Sequence, residues 1–207
     1  MEGYSSIFAI PTFDDLKLAL FGYRDKHVRR TSCRILEQVW RGQKRIIFRA
    51  GPEPTMRNSL TQFLKACLRG NVEVRPEQNV DESHPVDIKV TWFMSNRLAL
   101  IEIKWLGAST KTARTLVRYS DSRARSGAKQ LADYLDENAI QAPRQQTRGY
   151  LVIFDGRRAK IKPSTRRVNH ADGFKYEHSE IVFSPKHHEK RSDFEPPIRM
   201  FMEPVCE

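Results

Sequence analysis

Asp87, Glu102 and Lys104 are residue types that, brought into one small space, could support chemistry on a phosphate ester. Two carboxylates can hold a divalent cation: Mg2+ takes one or two of them, keeps several waters and is completed by phosphate oxygens. A lysine beside them can orient or deprotonate a water, or neutralise charge building on a phosphate under attack. The spacing predicts that the three meet. Residues 86–92 and 97–105 are rich in β-branched and aromatic side chains and flank Phe93-Met94-Ser95-Asn96, the pattern of an antiparallel hairpin. A four-residue loop pairs Trp92 with Arg97, Thr91 with Leu98, Lys89 with Leu100 and Asp87 with Glu102. Directly opposed residues share a face, with Cβ atoms about 5 Å apart, and Lys104 joins them two residues on. The other face carries Val86, Ile88, Val90, Trp92, Ala99, Ile101, Ile103 and Trp105, so it is expected to pack. Opposed carboxylates repel; a bound cation would offset that, whereas a merely solvated hairpin face is the alternative.

The elements around the hairpin must place it. Residues 51–70 predict a helix: Pro54 suits its first turn, and Leu60, Phe63, Leu64, Cys67 and Leu68 recur on one face up to Gly70. Glu53 stands at its start, where it could cap the helix or help to hold a metal. Residues 71–75 read as a strand, followed by Glu77 as a second acidic candidate and by Asp81 and Glu82 as turn residues. Residues 106–119 read as a basic connection with Lys111, Arg114 and Arg118. A helix capped by Ser120 runs to about residue 138, with Ala124, Ala128, Leu131, Ala132 and Leu135 as its apolar stripe. Gln130 and Tyr134, at i and i+4, share one of its faces. Residues 147–155 are a buried strand ending at Asp155-Gly156.

Pro85-Val86-Asp87 followed by Glu102-Ile103-Lys104 resembles the PD-(D/E)xK motif of the restriction-endonuclease-like nuclease superfamily. Gln130-Leu131-Ala132-Asp133-Tyr134 is similar to the Q-x-x-x-Y motif of its RecB-like and lambda-exonuclease-like branch. The resemblance covers residues 51–157, about half the chain, and implies an α/β fold: a restriction-endonuclease-like αβββαβ core with a central mixed sheet flanked by helices. It implies a metal-dependent nuclease, acting on DNA ahead of RNA, with a role in anti-phage defence or DNA repair. Asp87, Glu102 and the Ile103 carbonyl would bind Mg2+ or Mn2+, with Glu53 or Glu77 assisting. Lys104 would position or deprotonate the nucleophile, and Gln130 and Tyr134 would support substrate or water. The iron–sulfur cysteines of some RecB-like nucleases are missing, so that cluster is expected to be absent. A catalytically silent nucleic-acid clamp or scaffold subunit, and an RNA-cleaving effector, are the competing readings.

Composition agrees with a polyanionic partner. The 207 residues carry 36 Lys+Arg against 25 Asp+Glu, a net charge of +11 that favours nucleic acid. Lys111, Arg114, Arg118, Arg123, Arg125, Lys129, Arg157 and Arg158 are the expected phosphate contacts. No apolar run reaches membrane-span length and no signal pattern opens the chain, so a cytoplasmic protein with no membrane partner is expected. A protein partner or a second copy remains open. Cys33, Cys67 and Cys206 lack metal or disulfide spacing and read as free thiols. Residues 1–50 form a helical extension: Pro11 to Asp15 start one helix, Thr31 or Ser32 caps another through Trp40, and residues 44–49 are a strand candidate. Residues 158–207 are a basic extension packing on the core. There residues 180–183 read as a strand, His187-His188 as a surface pair, and Met200-Phe201-Met202 as a segment that docks on the body or on a partner.

Overall fold

The computed structural model describes residues 10–76, 86–112 and 114–207; Glu77, Asp81, Glu82 and Pro85 lie outside them. The described chain is mixed α/β, with a six-stranded mixed sheet flanked by helices. Its elements are α1 (Phe13–Tyr23), a π-helical turn (Arg24–Val28), α2 (Arg34–Glu37), α3 (Glu53–Cys67), β1 (Val72–Pro76), β2 (Ile88–Trp92) and β3 (Arg97–Thr112). They continue with β4 (Thr115–Tyr119), α4 (Asp121–Gln141), β5 (Gln146–Gly156), α5 (His170–Phe174), α6 (His187–Lys190) and β6 (Ile198–Phe201).

The predicted hairpin register holds as far as Ile88: Trp92 pairs with Arg97, Thr91 with Leu98, Lys89 with Leu100 and Ile88 with Ile101, where the ladder ends, short of the expected pair of Asp87 with Glu102. β1 extends it on the far side as an antiparallel meander. β5 runs parallel to β3 from Arg97↔Gln146 to Leu106↔Asp155, and β6 runs parallel to β5. The parallel return from β3 to β5 needs a crossover, and α4 supplies it.

Both faces of this sheet are covered. On one, α1, α2 and α3 bury Leu16, Leu20, Leu36, Leu60 and Leu64 against Ile88, Val90, Ile101, Ile103, Val152 and Phe154. On the other, the expected stripe of α4 packs on Leu98, Leu100, Leu151 and Ile153. Each fully buried aliphatic side chain contributes about 1.5–3 kcal/mol relative to exposure, so both layers hold the strands in place. Thr12 caps α1 reciprocally with Asp15, whose carboxylate accepts from the Thr12 backbone at 2.7 Å. No described helix is long and apolar enough to cross a membrane.

Several expectations need correction. Residues 106–119 are not a loose connection: β3 continues to Thr112 and folds back as β4, pairing Gly107 with Tyr119 and Ser109 with Val117. Gly107 permits this, since its φ of +136° suits glycine and a Cβ there would lie 2.9 Å from the Gly156 carbonyl oxygen. Val86 precedes β2 and packs on the α4 side with Leu98 and Leu100, because strand alternation does not reach it. The second helix stops at Glu37, as Val39 and Trp40 turn into an isolated bridge between Trp40 and Phe48. Residues 44–49 contribute only that bridge and another from Phe48 to Ser109, not a strand. Residues 180–183 are irregular, although Ile181 and Phe183 cover the α4 cluster. The last strand is instead β6, formed by the apolar end of the chain.

Candidate active site

The two covered faces leave one break in the sheet. β2 pairs the edge of β3 as far as Ile101, and β4 takes up the same edge from Gly107. Among the described residues no strand pairs that edge between them. Asp87 fills part of the break from the residue before β2: its Oδ2 accepts the Ile103 backbone N–H at 2.8 Å. A buried backbone donor without a strand partner is thereby satisfied by a carboxylate. Glu102 and Lys104 project from the neighbouring positions of β3, and the Lys104 ammonium donates to Glu102 Oε1.

This face is not solvated, as the sequence alone left open. Asp87 is 5% exposed, Glu102 1% and Lys104 8%. The cover is α4, whose Gly127 lies directly against the lysine: a Cβ on Gly127 would sit 2.5 Å from Lys104 Cγ. A mid-helix glycine costs about 1 kcal/mol relative to alanine; here it admits the lysine stem. Sequence reasoning passed over Gly127, although a glycine inside an amphipathic helix is itself a sign of close approach.

Electrostatics bind the set together. Burial, then the Asp87 charge, pushes the Glu102 carboxyl up to about 8, against the opposing pull of Lys104. Burial also raises Asp87, opposed by the Ile103 N–H and reinforced by the Glu53 charge. Glu102 Oε2 is buried with no hydrogen-bond partner among the described residues. Arg57, one turn beyond Glu53 on α3, donates to Asp87 Oδ1 at 2.9 Å. Arg57 was also missed; its i+4 spacing from Glu53 is the signal that would have found it. Glu53 sits at the start of α3 and accepts from Arg123 at 2.8 Å, across from α4. The Arg123 guanidinium also lies over the rings of Tyr119 at 4.2 Å and Trp105 at 5.8 Å.

Gln130 and Tyr134 behave as the helical spacing predicts, with the amide donating to the phenol oxygen at 2.6 Å. Burial raises the Tyr134 phenol, the Gln130 bond opposes this, and the charges of Glu102 and Asp87 add to the rise. The phenol therefore belongs electrostatically to the site. Glu77 lies outside the described residues, and among those described no group of three His, Cys, Asp or Glu side chains gathers as a metal cage.

The two carboxylates nonetheless fit a divalent ion of the Mg2+ kind. Glu102 has an orphaned buried oxygen, and burial with the Asp87 charge raises its carboxyl even though Lys104 and Arg57 already stand beside the two carboxylates. An ion needing only one or two carboxylates fits this donor set; one demanding a full protein cage does not.

The expected phosphate contacts divide. Lys111, Arg114, Arg118, Arg125 and Lys129 are exposed, the first three on the β3–β4 hairpin and the last two on α4. Arg123 is half-buried within the site. Arg157 and Arg158 are corrected: both are 8% exposed and face inward. Arg157 binds Asp155 and Asp121, while Arg158 donates to backbone oxygens of Arg157 and Met202. Burial pushes the Arg158 guanidinium down to about 9. The strand end they clamp, not a nucleic-acid backbone, explains them. Of the paired histidines, His187 stacks on Phe194 with centroids 5.4 Å apart. The three cysteines are free. Comparisons with protein-family models, curated proteins and solved structures return no match to this chain.

Proposed function

We propose that this protein is a metal-dependent nuclease that hydrolyses phosphodiester bonds, of DNA ahead of RNA, on a restriction-endonuclease-like core spanning residues 51–157. The observation that carries the reading is the burial of Asp87, Glu102 and Lys104 in one break of the sheet, with a Glu102 oxygen left unpartnered. The order α3, β1, β2, β3, α4, β5 supports the core, with β4 as an added strand. The Gln130–Tyr134 pair on the crossover helix supports the RecB-like branch.

Asp87 and Glu102 would hold Mg2+ or Mn2+, with the Ile103 carbonyl and Glu53 as further oxygen donors. When bound, such an ion polarises a phosphoryl oxygen and favours ionisation of water. The chain's own residues supply the rest. Lys104, its stem held against Gly127, presents Nζ to charge developing on the phosphate. Tyr134 offers a phenol O–H whose raised proton affinity keeps it a donor. Ala124, Ala128 and Leu131 of α4 exclude water behind the lysine. The exposed cations of the β3–β4 hairpin and α4 position the backbone without reading its sequence.

End-labelled linear and circular DNA, with an RNA control, tests this for wild type and Lys104→Ala in Mg2+, Mn2+ and EDTA. Wild type is expected to cut only with metal, and the variant to lose about 100-fold or more, the usual scale for removing one transition-state donor. Equal binding by both proteins with no cutting in any metal would overturn the reading. It would favour a non-hydrolytic clamp instead, for which one observation speaks: Arg57 and Lys104 already pair the two carboxylates.

A further inference from the structure

Away from the sheet break, the segment around residues 41–49 lines two adjoining cavities that open to the surface. The larger, about 530 Å3, is lined by Arg30, Arg41, Arg45 and Arg49, with Trp40 in its wall and Glu37 as the carboxylate among its lining residues. The smaller, about 380 Å3, shares Arg41 and Arg45, adds Lys44 and Arg166, and has no carboxylate in its lining.

Four arginines line one space, and backbone carbonyls hold three of them: Arg41 donates to Pro163 at 3.0 Å, Arg49 to Trp40 at 2.9 Å, and Arg45 to Arg30. A guanidinium has five N–H donors, and these single anchors fix the groups while leaving further donors available. Arg45 is the sharpest case. Its backbone is left-handed at φ +53°, a conformation uncommon for a residue with a side chain, and its Nε is buried without a partner among the described residues. Neighbouring acids neutralise the set only in part. Glu203 is taken by Arg29 at 2.5 Å and reaches Arg30 at 4.0 Å, and Glu207 pairs Lys44 at 2.6 Å, which leaves Glu37 against Arg41, Arg45 and Arg49.

We propose that this cavity binds a phosphomonoester of nucleotide size, carried either by a free nucleotide or by the phosphorylated end of a nucleic-acid strand. Guanidinium forks match the terminal oxygens of such a group. The larger volume lies within the span of small-ligand sites, about 300–1,000 Å3. The site is separate from Asp87 and Lys104: Trp40 and Phe48 belong to the core on the α1 and α3 side of the sheet, whereas Lys104 lies against α4. The proposal does not rest on the nuclease reading.

Calorimetric titration of the full chain in EDTA tests it, with AMP, adenosine, and one oligonucleotide bearing either a 5′-phosphate or a 5′-hydroxyl. AMP is expected to bind wild type and Asp87→Asn equally, and to lose about tenfold or more in Arg41→Gln and Arg45→Gln, the scale of one charge-assisted hydrogen bond. Adenosine should not bind. Preference for the 5′-phosphorylated oligonucleotide over AMP assigns the site to strand ends; equal or tighter binding of AMP assigns it to free nucleotide. If AMP binds no better than adenosine and the phosphorylated strand no better than the hydroxyl strand, the proposal fails. It fails equally if Arg41→Gln binds as wild type does. Should Arg45→Gln not fold by circular dichroism, the exposed Arg41 decides alone.

Discussion

Burial favours the protonated form of Glu102 in the folded protein relative to the unfolded chain. Its carboxyl rises from the ordinary 4.5 to about 8, chiefly because burial penalises the anion, and Asp87 is shifted in the same direction. Between those values the native state binds more protons than the unfolded state, so stability must fall as pH rises. The contribution is fully present below about 4.5 and is lost as pH passes through about 8. Replacing the group with Glu102→Gln removes the ionisation while keeping the shape. Thermal melts from pH 5 to 9, without metal, should show wild type losing several degrees while the variant changes less. An equally steep decline in the variant would mean that Glu102 is not the source. The same residue explains why its chemistry was only half legible. Types and spacing put Asp87, Glu102 and Lys104 together, but burial by α4 depends on Gly127 meeting Lys104 across more than twenty residues of sequence.

At the scale of elements, β5 and β6 depend on one buried carboxylate. Asp155, fully buried at the end of β5, accepts from the Arg157 backbone at 3.0 Å, from the Arg157 guanidinium at 2.6 Å and from Arg199 of β6 at 2.7 Å. Arg199 in turn donates to the Glu177 and Ser179 carbonyls at 2.9 and 2.8 Å, tying down the segment after α5. Removing one partner of a buried ionic set leaves the others uncompensated, at about 3–5 kcal/mol. Asp155→Asn should therefore lower the urea-unfolding free energy by about that amount, and a change under about 1 kcal/mol would mean that the arginines find other partners. This clamp was invisible in the sequence because a run of Arg and Lys after a strand looks the same whether it faces water or folds inward. Strands β2, β3 and β5 were legible from local pattern: two-residue alternation in the hairpin and an unbroken apolar run in β5. The continuation of β3 beyond Trp105 and the β4 strand paired with it were not, because Gly107 and the small residues Ala108, Ser109 and Thr110 of β3 carry little alternation. β6 was not either, since four residues paired to a distant strand announce themselves only as apolar.

The molecule as a whole is strongly basic, yet its cations divide into two populations with different tasks. Arg157, Arg158 and Arg199 hold the fold; Lys111, Arg114 and Lys129 are exposed and stand in no ion pair among the described residues. The second group is free to release counterions from a bound polyanion. Each phosphate contact contributes about 0.9 to the slope of log K against log salt on duplex DNA, and about 0.7 on single strands. Replacing Lys111, Arg114 and Lys129 together with glutamine should therefore flatten that slope by about 3 on duplex and about 2 on single strands, with the melting temperature nearly unchanged. Arg157→Gln should do the reverse, lowering the melting temperature while leaving the slope in place. Fluorescence anisotropy across a salt series, beside thermal melts of each variant, separates the two. If the triple variant keeps the wild-type slope, the nucleic acid does not cross the β3–β4 hairpin and α4, and the net charge serves another surface. The arginine-lined cavities beside Trp40 would then be the first alternative, because they hold the other concentration of exposed positive charge.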